Sequence, residues 1–237
     1  IQISMLLALV VMAYCLFIAP QHAAWYVAYV VLFNMLVGPV FSAGSVTSER
    51  ERATLDLLLV TLITPWQMLW GKLFSGLRVS SVLTSFLMWP MFLALLMPLD
   101  FWHNIPTMIG YFGIVAVTAL TTSLTALFCS TLFRKSSTAL MATYMITTVL
   151  FMAPVAADVF VRAFVPDSPA APVVEALQVT SPFSAAFNLP LETDKGGNLA
   201  YAHVMVFWGH LAFYLLYNGG LLAVVTWLFQ ARWRVSE

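Results

Sequence analysis

The chain has 237 residues, of which 62% are hydrophobic and 8% charged, and its ten basic side chains are balanced by ten acidic ones. A soluble domain carries charge on roughly a quarter of its residues, so this sequence cannot clothe a globule in polar groups, and lipid must be the solvent for most of it. Zero net charge gives no electrostatic reason for a nucleic-acid partner. Cys15 and Cys129 lie far apart in apolar runs and suit neither a disulfide framework nor a zinc spacing.

A hydrocarbon core of about 30 Å needs about 20 apolar residues of helix. Six stretches meet that length: 1–19, 24–43, 79–97, 107–132, 138–157 and 203–229. The expected fold class is an all-α integral membrane protein, a six-helix transmembrane bundle in a single domain over residues 1–237. The chain begins at Ile1, inside an apolar run and without Met, as expected of a trimmed N-terminus. The first stretch lacks a basic leader region, and Tyr14 spoils a lipobox before Cys15, so it is read as a span and not a signal peptide.

The loops at 20–23, 98–106 and 158–202 hold only Arg162 and Lys195. Arg50, Arg52, Lys72, Arg78, Arg134, Lys135, Arg232 and Arg234 all fall on the other side, which the positive-inside rule assigns to the cytoplasm. The long loop at 158–202 is then extracytoplasmic. No Asp, Glu, Lys or Arg falls in the middle of a span, which counts against a proton- or sodium-coupled pump.

Between the second and third spans runs SERERATLDLLLVTLITPWQMLWGK, from Ser48 to Lys72. Ser48 and Glu51 have the spacing of a capping box, with acids at the positive helix end. Leu55, Leu58, Leu59 and Leu62 then recur at helical spacing, and Arg52 and Asp56 are i,i+4 neighbours. The pattern predicts a short cytoplasmic helix over 48–63. A second start follows, with Thr64 as cap, Pro65 at the first position and Gln67 at the third. Trp66 and Trp70 suit the interface, and Lys72 and Arg78 are expected to snorkel to water. Such a helix could lie on the membrane or dock a soluble partner.

The run Glu49-Arg50-Glu51-Arg52-Ala53-Thr54-Leu55-Asp56-Leu57-Leu58-Leu59, with Thr64-Pro65 and Gly71-Lys72 after it, resembles the signature of ABC-2 type transporter permeases. Phe133-Arg134-Lys135 and Ser181-Pro182-Phe183 are similar to that family as well, so the resemblance covers most of the chain. Ala53 stands where the family has Gly, and Leu62 where Pro is common. The resemblance implies a coupling helix that meets a separate ABC ATP-binding subunit through Glu49, Arg50, Glu51, Arg52, Thr54, Leu55 and Leu58. It also implies a second permease copy or paralogue, export as the direction of transport, and a multi-pass place in a bacterial cytoplasmic membrane. ATP and Mg would be bound by the partner, since this chain has no GxxxxGK[ST] phosphate loop and needs no cofactor of its own.

Other features have two readings each. Thr118, Thr121, Thr122 and Thr125 share a helical face, joined by Thr143 and Thr147 in the next span; they line a polar path or serve as packing glue. Asn218-Gly219-Gly220 marks a break in the last span or a close helix contact. His22, His103, His203 and His210 have no metal-ligand motif. Pro154, Pro166, Pro169 and Pro172 are expected to break any long helix in the outer region, with a short helix at 173–179 that could gate or simply connect. No catalytic constellation stands out; a lipid-modifying membrane enzyme and a membrane scaffold are the alternatives to a permease.

Overall fold

The computed structural model describes residues 6–7, 10–11, 23–51, 65–96, 105–165, 169, 171–189 and 201–233. Among them the regular structure is helical throughout. In chain order the helices are α1 (Ala23–Ser42), α2 (Gly44–Glu51), α3 (Pro65–Leu96), α4 (Ile105–Leu132), α5 (Ser136–Phe164), α6 (Ala171–Leu177), α7 (Pro182–Phe187) and α8 (Tyr201–Trp233), with a 3-10 turn at Gln178–Thr180 between α6 and α7. Four helical runs among the described residues are long and apolar enough to cross a membrane: Ala23–Glu49, Ile105–Leu132, Ser136–Phe164 and Met205–Leu228. The second, fourth, fifth and sixth expected spans fall on these runs. The third falls within α3, and the first lies almost wholly outside the described residues.

The helix ends follow local chemistry. Pro65 opens α3 at the position where a missing N–H costs nothing. Ser181 caps α7, its hydroxyl accepting from the Ser184 amide at 3.4 Å, with Pro182 in the first turn. α1 and α2 are separated by Ala43 alone, whose amide still reaches the Pro39 carbonyl at 2.8 Å.

Three expectations change here. Pro154 does not end α5, which continues to Phe164, so the outer connection begins seven residues after Asp158. Proline removes one hydrogen bond, but the neighbouring turns are retained in an apolar setting, where a free backbone group is costly. An Arg162–Asp158 pair at 2.8 Å braces the added turns. The expected short helix is present as α6, starting two residues earlier than foreseen, with Pro172 in its first turn. Asn218, Gly219 and Gly220 lie inside an unbroken α8.

The chain divides into two compact units. The first comprises 1–33, 83–118 and 149–214; the second comprises 34–82, 119–148 and 215–237. The first unit is built around Tyr26, Val27, Val30, Met91, Met108 and Tyr111, all buried. The segment 181–189 packs into that core: Tyr111 donates to the Leu189 carbonyl at 2.5 Å, and Ser181 donates to the Phe151 carbonyl at 2.7 Å. The second unit has a smaller apolar core of Val46, Leu69, Leu73, Leu124, Leu127 and Val225. By residue range, it also contains all eight basic residues assigned to the cytoplasm, while Arg162 and Lys195 belong to the first.

Candidate functional site

The second unit holds a polar cluster centred on α2. This helix is eight residues long and mostly polar, and Val46 is the buried apolar side chain it contributes. It follows α1 after Ala43 alone, and hydrogen bonds from other helices fix it further. Three other helices bond to it.

From α4, the buried Ser130 Oγ accepts from both the Val46 and Thr47 amides, each at 3.0 Å. These amides lie at the start of α2, and the hydroxyl holds both from a neighbouring helix. A hydroxyl has two acceptor sites, and here both are filled. From α5, the Ser136 amide donates to Glu51 Oε1 at 2.7 Å, and the Ser136 hydroxyl lies 2.9 Å from Thr47 Oγ1. A carboxylate at a helix N-terminus satisfies an orphan donor and complements the helix dipole. From α3, Lys72 Nζ donates to the Ser45 carbonyl at 2.6 Å and pairs with the Glu49 carboxylate.

Two readings of the sequence are corrected. Ser48 is not a helix cap, because α2 starts at Gly44, and Glu51 caps α5 instead of reaching back to Ser48. The first turn of α2 takes its cap from Ser130, 84 residues away from Val46 in the chain. Lys72 does not snorkel to water: its side chain is 10% exposed and directed into the cluster. Burial pushes its pKa below the ordinary lysine value, and the Glu49 hydrogen bond and charge oppose that shift. A cation this enclosed is tolerable only with partners, and the Ser45 carbonyl and Glu49 supply them.

Of the expected coupling residues, Glu49 and Glu51 therefore bond within their own chain. Arg50 belongs to α2, but its side chain is outside the described residues, as are Arg52, Thr54, Leu55 and Leu58. Sequence reasoning passed over Ser130 and Ser136. Nothing marks Ser130 in its apolar run; Ser136 directly follows Phe133-Arg134-Lys135, which at least flagged the turn.

The helices in this unit approach closely. A Cβ placed on Gly76 of α3 would lie 2.4 Å from Ser42 Oγ of α1, and one on Gly38 of α1 would lie 2.6 Å from Thr122 Oγ1 of α4. Small residues allow such backbone proximity between apolar helices.

Thr118, Thr121, Thr122 and Thr125 are all buried. Thr118 donates to the Ile114 carbonyl at 2.7 Å and Thr122 to the Ala119 carbonyl at 3.0 Å. Thr121 accepts from Asn218 Nδ2 of α8 at 3.0 Å. Thr143 and Thr147 likewise bond back into their own helix. This back-bonding is how hydroxyls are accommodated in an apolar helix. His210 is buried, with Nδ1 2.9 Å from the Val179 carbonyl; among the described residues no group of His, Cys, Asp and Glu could hold a metal.

A model of the ABC-2 family transporter proteins matches residues 2–232. The chain belongs to that family. No curated protein matches it in sequence. With its apolar helical runs, this ABC-2 family member is a multi-pass membrane protein and a component of a transport system. The Glu49–Leu59 signature on which the resemblance rested lies inside the matched region.

Proposed function

We propose that this chain is the membrane-spanning permease subunit of an ATP-driven exporter, with six spans and a coupling helix over 48–63 that meets a separate ATP-binding subunit. Two permeases, either copies or paralogues, form the pathway, and the partner subunits bind ATP and Mg. The observation that carries this reading is the attachment of α2. One short helix, which carries Glu49, Arg50 and Glu51 of the family signature, is bonded to α3, α4 and α5 together. A push delivered just after Glu51 is therefore passed to three membrane helices, as a permease driven from outside the bilayer requires. Arg50, Arg52, Thr54, Leu55 and Leu58 are the docking residues in this reading. Glu49 and Glu51 contribute by holding the docking segment in place. Thr118, Thr121, Thr122 and Thr125 would border the path only where helix repacking uncovers them.

The test is purification of the full-length protein in mild detergent, with mass spectrometry of whatever accompanies it. An ATPase with a phosphate loop is expected, and it should be lost when Arg50, Arg52, Leu55 and Leu58 are replaced by Ala. A preparation without any ATPase, under conditions that keep other ABC complexes intact, overturns the reading. Lipid-modification assays would then follow.

A further inference from the structure

The polar cluster around α2 offers more than a place of attachment. Its bonds are arranged so that α2 and the α4–α5 turn cap one another. Ser130, near the C-terminal end of α4, supplies the acceptor for the first turn of α2. Glu51, the last residue of α2, supplies the acceptor for the first turn of α5. Thr47 adds a third link, donating to the Ala43 carbonyl at 3.1 Å or exchanging a hydrogen bond with Ser136 at 2.9 Å. Lys72 then ties α3 to both ends of the same helix, through the Ser45 carbonyl near its start and Glu49 near its finish.

Apolar contacts are non-directional and do not by themselves fix how α2 is turned against its neighbours. These bonds are directional, and several carry a charge, which roughly doubles their strength. The two Ser130 bonds are buried, so breaking them leaves buried amides without that partner; the Lys72 bonds are part-buried and the Glu51–Ser136 bond is exposed. A roll of α2 about its axis would break the Ser130 and Glu51 caps simultaneously. A slide along its axis would break both Lys72 contacts.

We propose that Ser130, Ser136 and Lys72 are positioning residues for transport: together with Glu49 and Glu51 they form a reciprocal-cap clamp that makes α2 a rigid lever moving α3, α4 and α5 as one. The proposal rests on the pairing with an ATP-binding subunit. It assigns a mechanical role to three side chains outside the docking segment, and it moves the two glutamates from the docking face to the clamp.

The test uses the full-length complex with Cys15 and Cys129 replaced by Ser. An environment-sensitive fluorophore is attached at Val159→Cys, an exposed site near the far end of α5. ATP and Mg with orthovanadate should shift its emission in the otherwise unaltered protein. Ser130→Ala and Lys72→Met should abolish the shift while the ATPase still co-purifies and hydrolyses ATP. Ser130→Thr and Lys72→Arg, which restore the hydroxyl and the cation, should bring it back. A merely structural role would lower thermal stability but leave the shift in the complexes that survive. Persistence of the shift in both loss variants, with the ATPase bound, overturns the clamp and leaves the permease reading standing. Absence of any ATPase from the unaltered preparation overturns both. If Ser130→Ala fails to fold, Lys72→Met decides alone.

Discussion

Replacing Gly76 by Ala tests how closely α1 and α3 are packed. In most helix positions this change is stabilising by up to about 1 kcal/mol, because Ala has the better helix propensity. At Gly76 the new Cβ would meet Ser42 Oγ at 2.4 Å, Ser42 Cβ at 3.2 Å and the Ser42 Cα at 3.4 Å. Rotating the serine hydroxyl relieves only the first contact. The other two require the helices to part by a few tenths of an ångström, and overpacking of this kind costs about 1–3 kcal/mol. The net expectation is destabilisation by about 1 kcal/mol, or a fall of about 2–4 °C in Tm for a chain this size. Thermal unfolding in mild detergent measures it, with Gly71→Ala as the control, since a Cβ there meets nothing within 4 Å. Combining Ser42→Ala with Gly76→Ala removes the worst contact and a buried hydroxyl that has no described partner. The pair should therefore be more stable than the sum of the single changes, by about 1 kcal/mol. The reasoning is refuted if Gly76→Ala raises Tm as the Gly71 control does, or if the two changes are additive.

Tyr111→Phe should cost about 1–2 kcal/mol, because the Leu189 carbonyl loses its buried donor; faster hydrogen exchange across 182–189 is the specific readout. Ser181→Ala removes both the α7 cap and the bond to the Phe151 carbonyl, and should lower stability by about 1–2 kcal/mol with easier proteolysis of the outer region. Asn218→Leu should change stability by no more than about 1 kcal/mol, since the lost Thr121 bond is offset by removal of a buried oxygen without a described partner. Asn218→Asp at neutral pH should instead cost several kcal/mol, about what an unpaired buried charge demands. Thermal unfolding of the two variants side by side checks the difference.

Much of this protein was legible in the chain. Apolar runs of about 20 residues can only be helices in lipid, because each backbone group must bond within its own segment. The residues that announced the family also stand in plain sequence, from Glu49 to Leu59. A local rule placed the start of α3 at Pro65. Local rules failed where a helix end is completed from far along the chain. Ser48 and Glu51 have the spacing of a capping box, yet Glu51 bonds the Ser136 amide 85 residues away. Lys72 has the setting of a snorkelling lysine, yet its head is turned to Ser45 and Glu49. Ser130 carries no signal at all. The reason is common to the three: sequence periodicity sets which face of a helix is apolar, while the partner of a polar group depends on which helices become neighbours. Composition and spacing determined a helical membrane protein, and the resemblance of Glu49–Leu59 to ABC-2 permeases pointed to its family; only the tertiary structure decided that α2 is bonded to α3, α4 and α5, because hydrogen bonds are made with whatever packing brings within 3 Å.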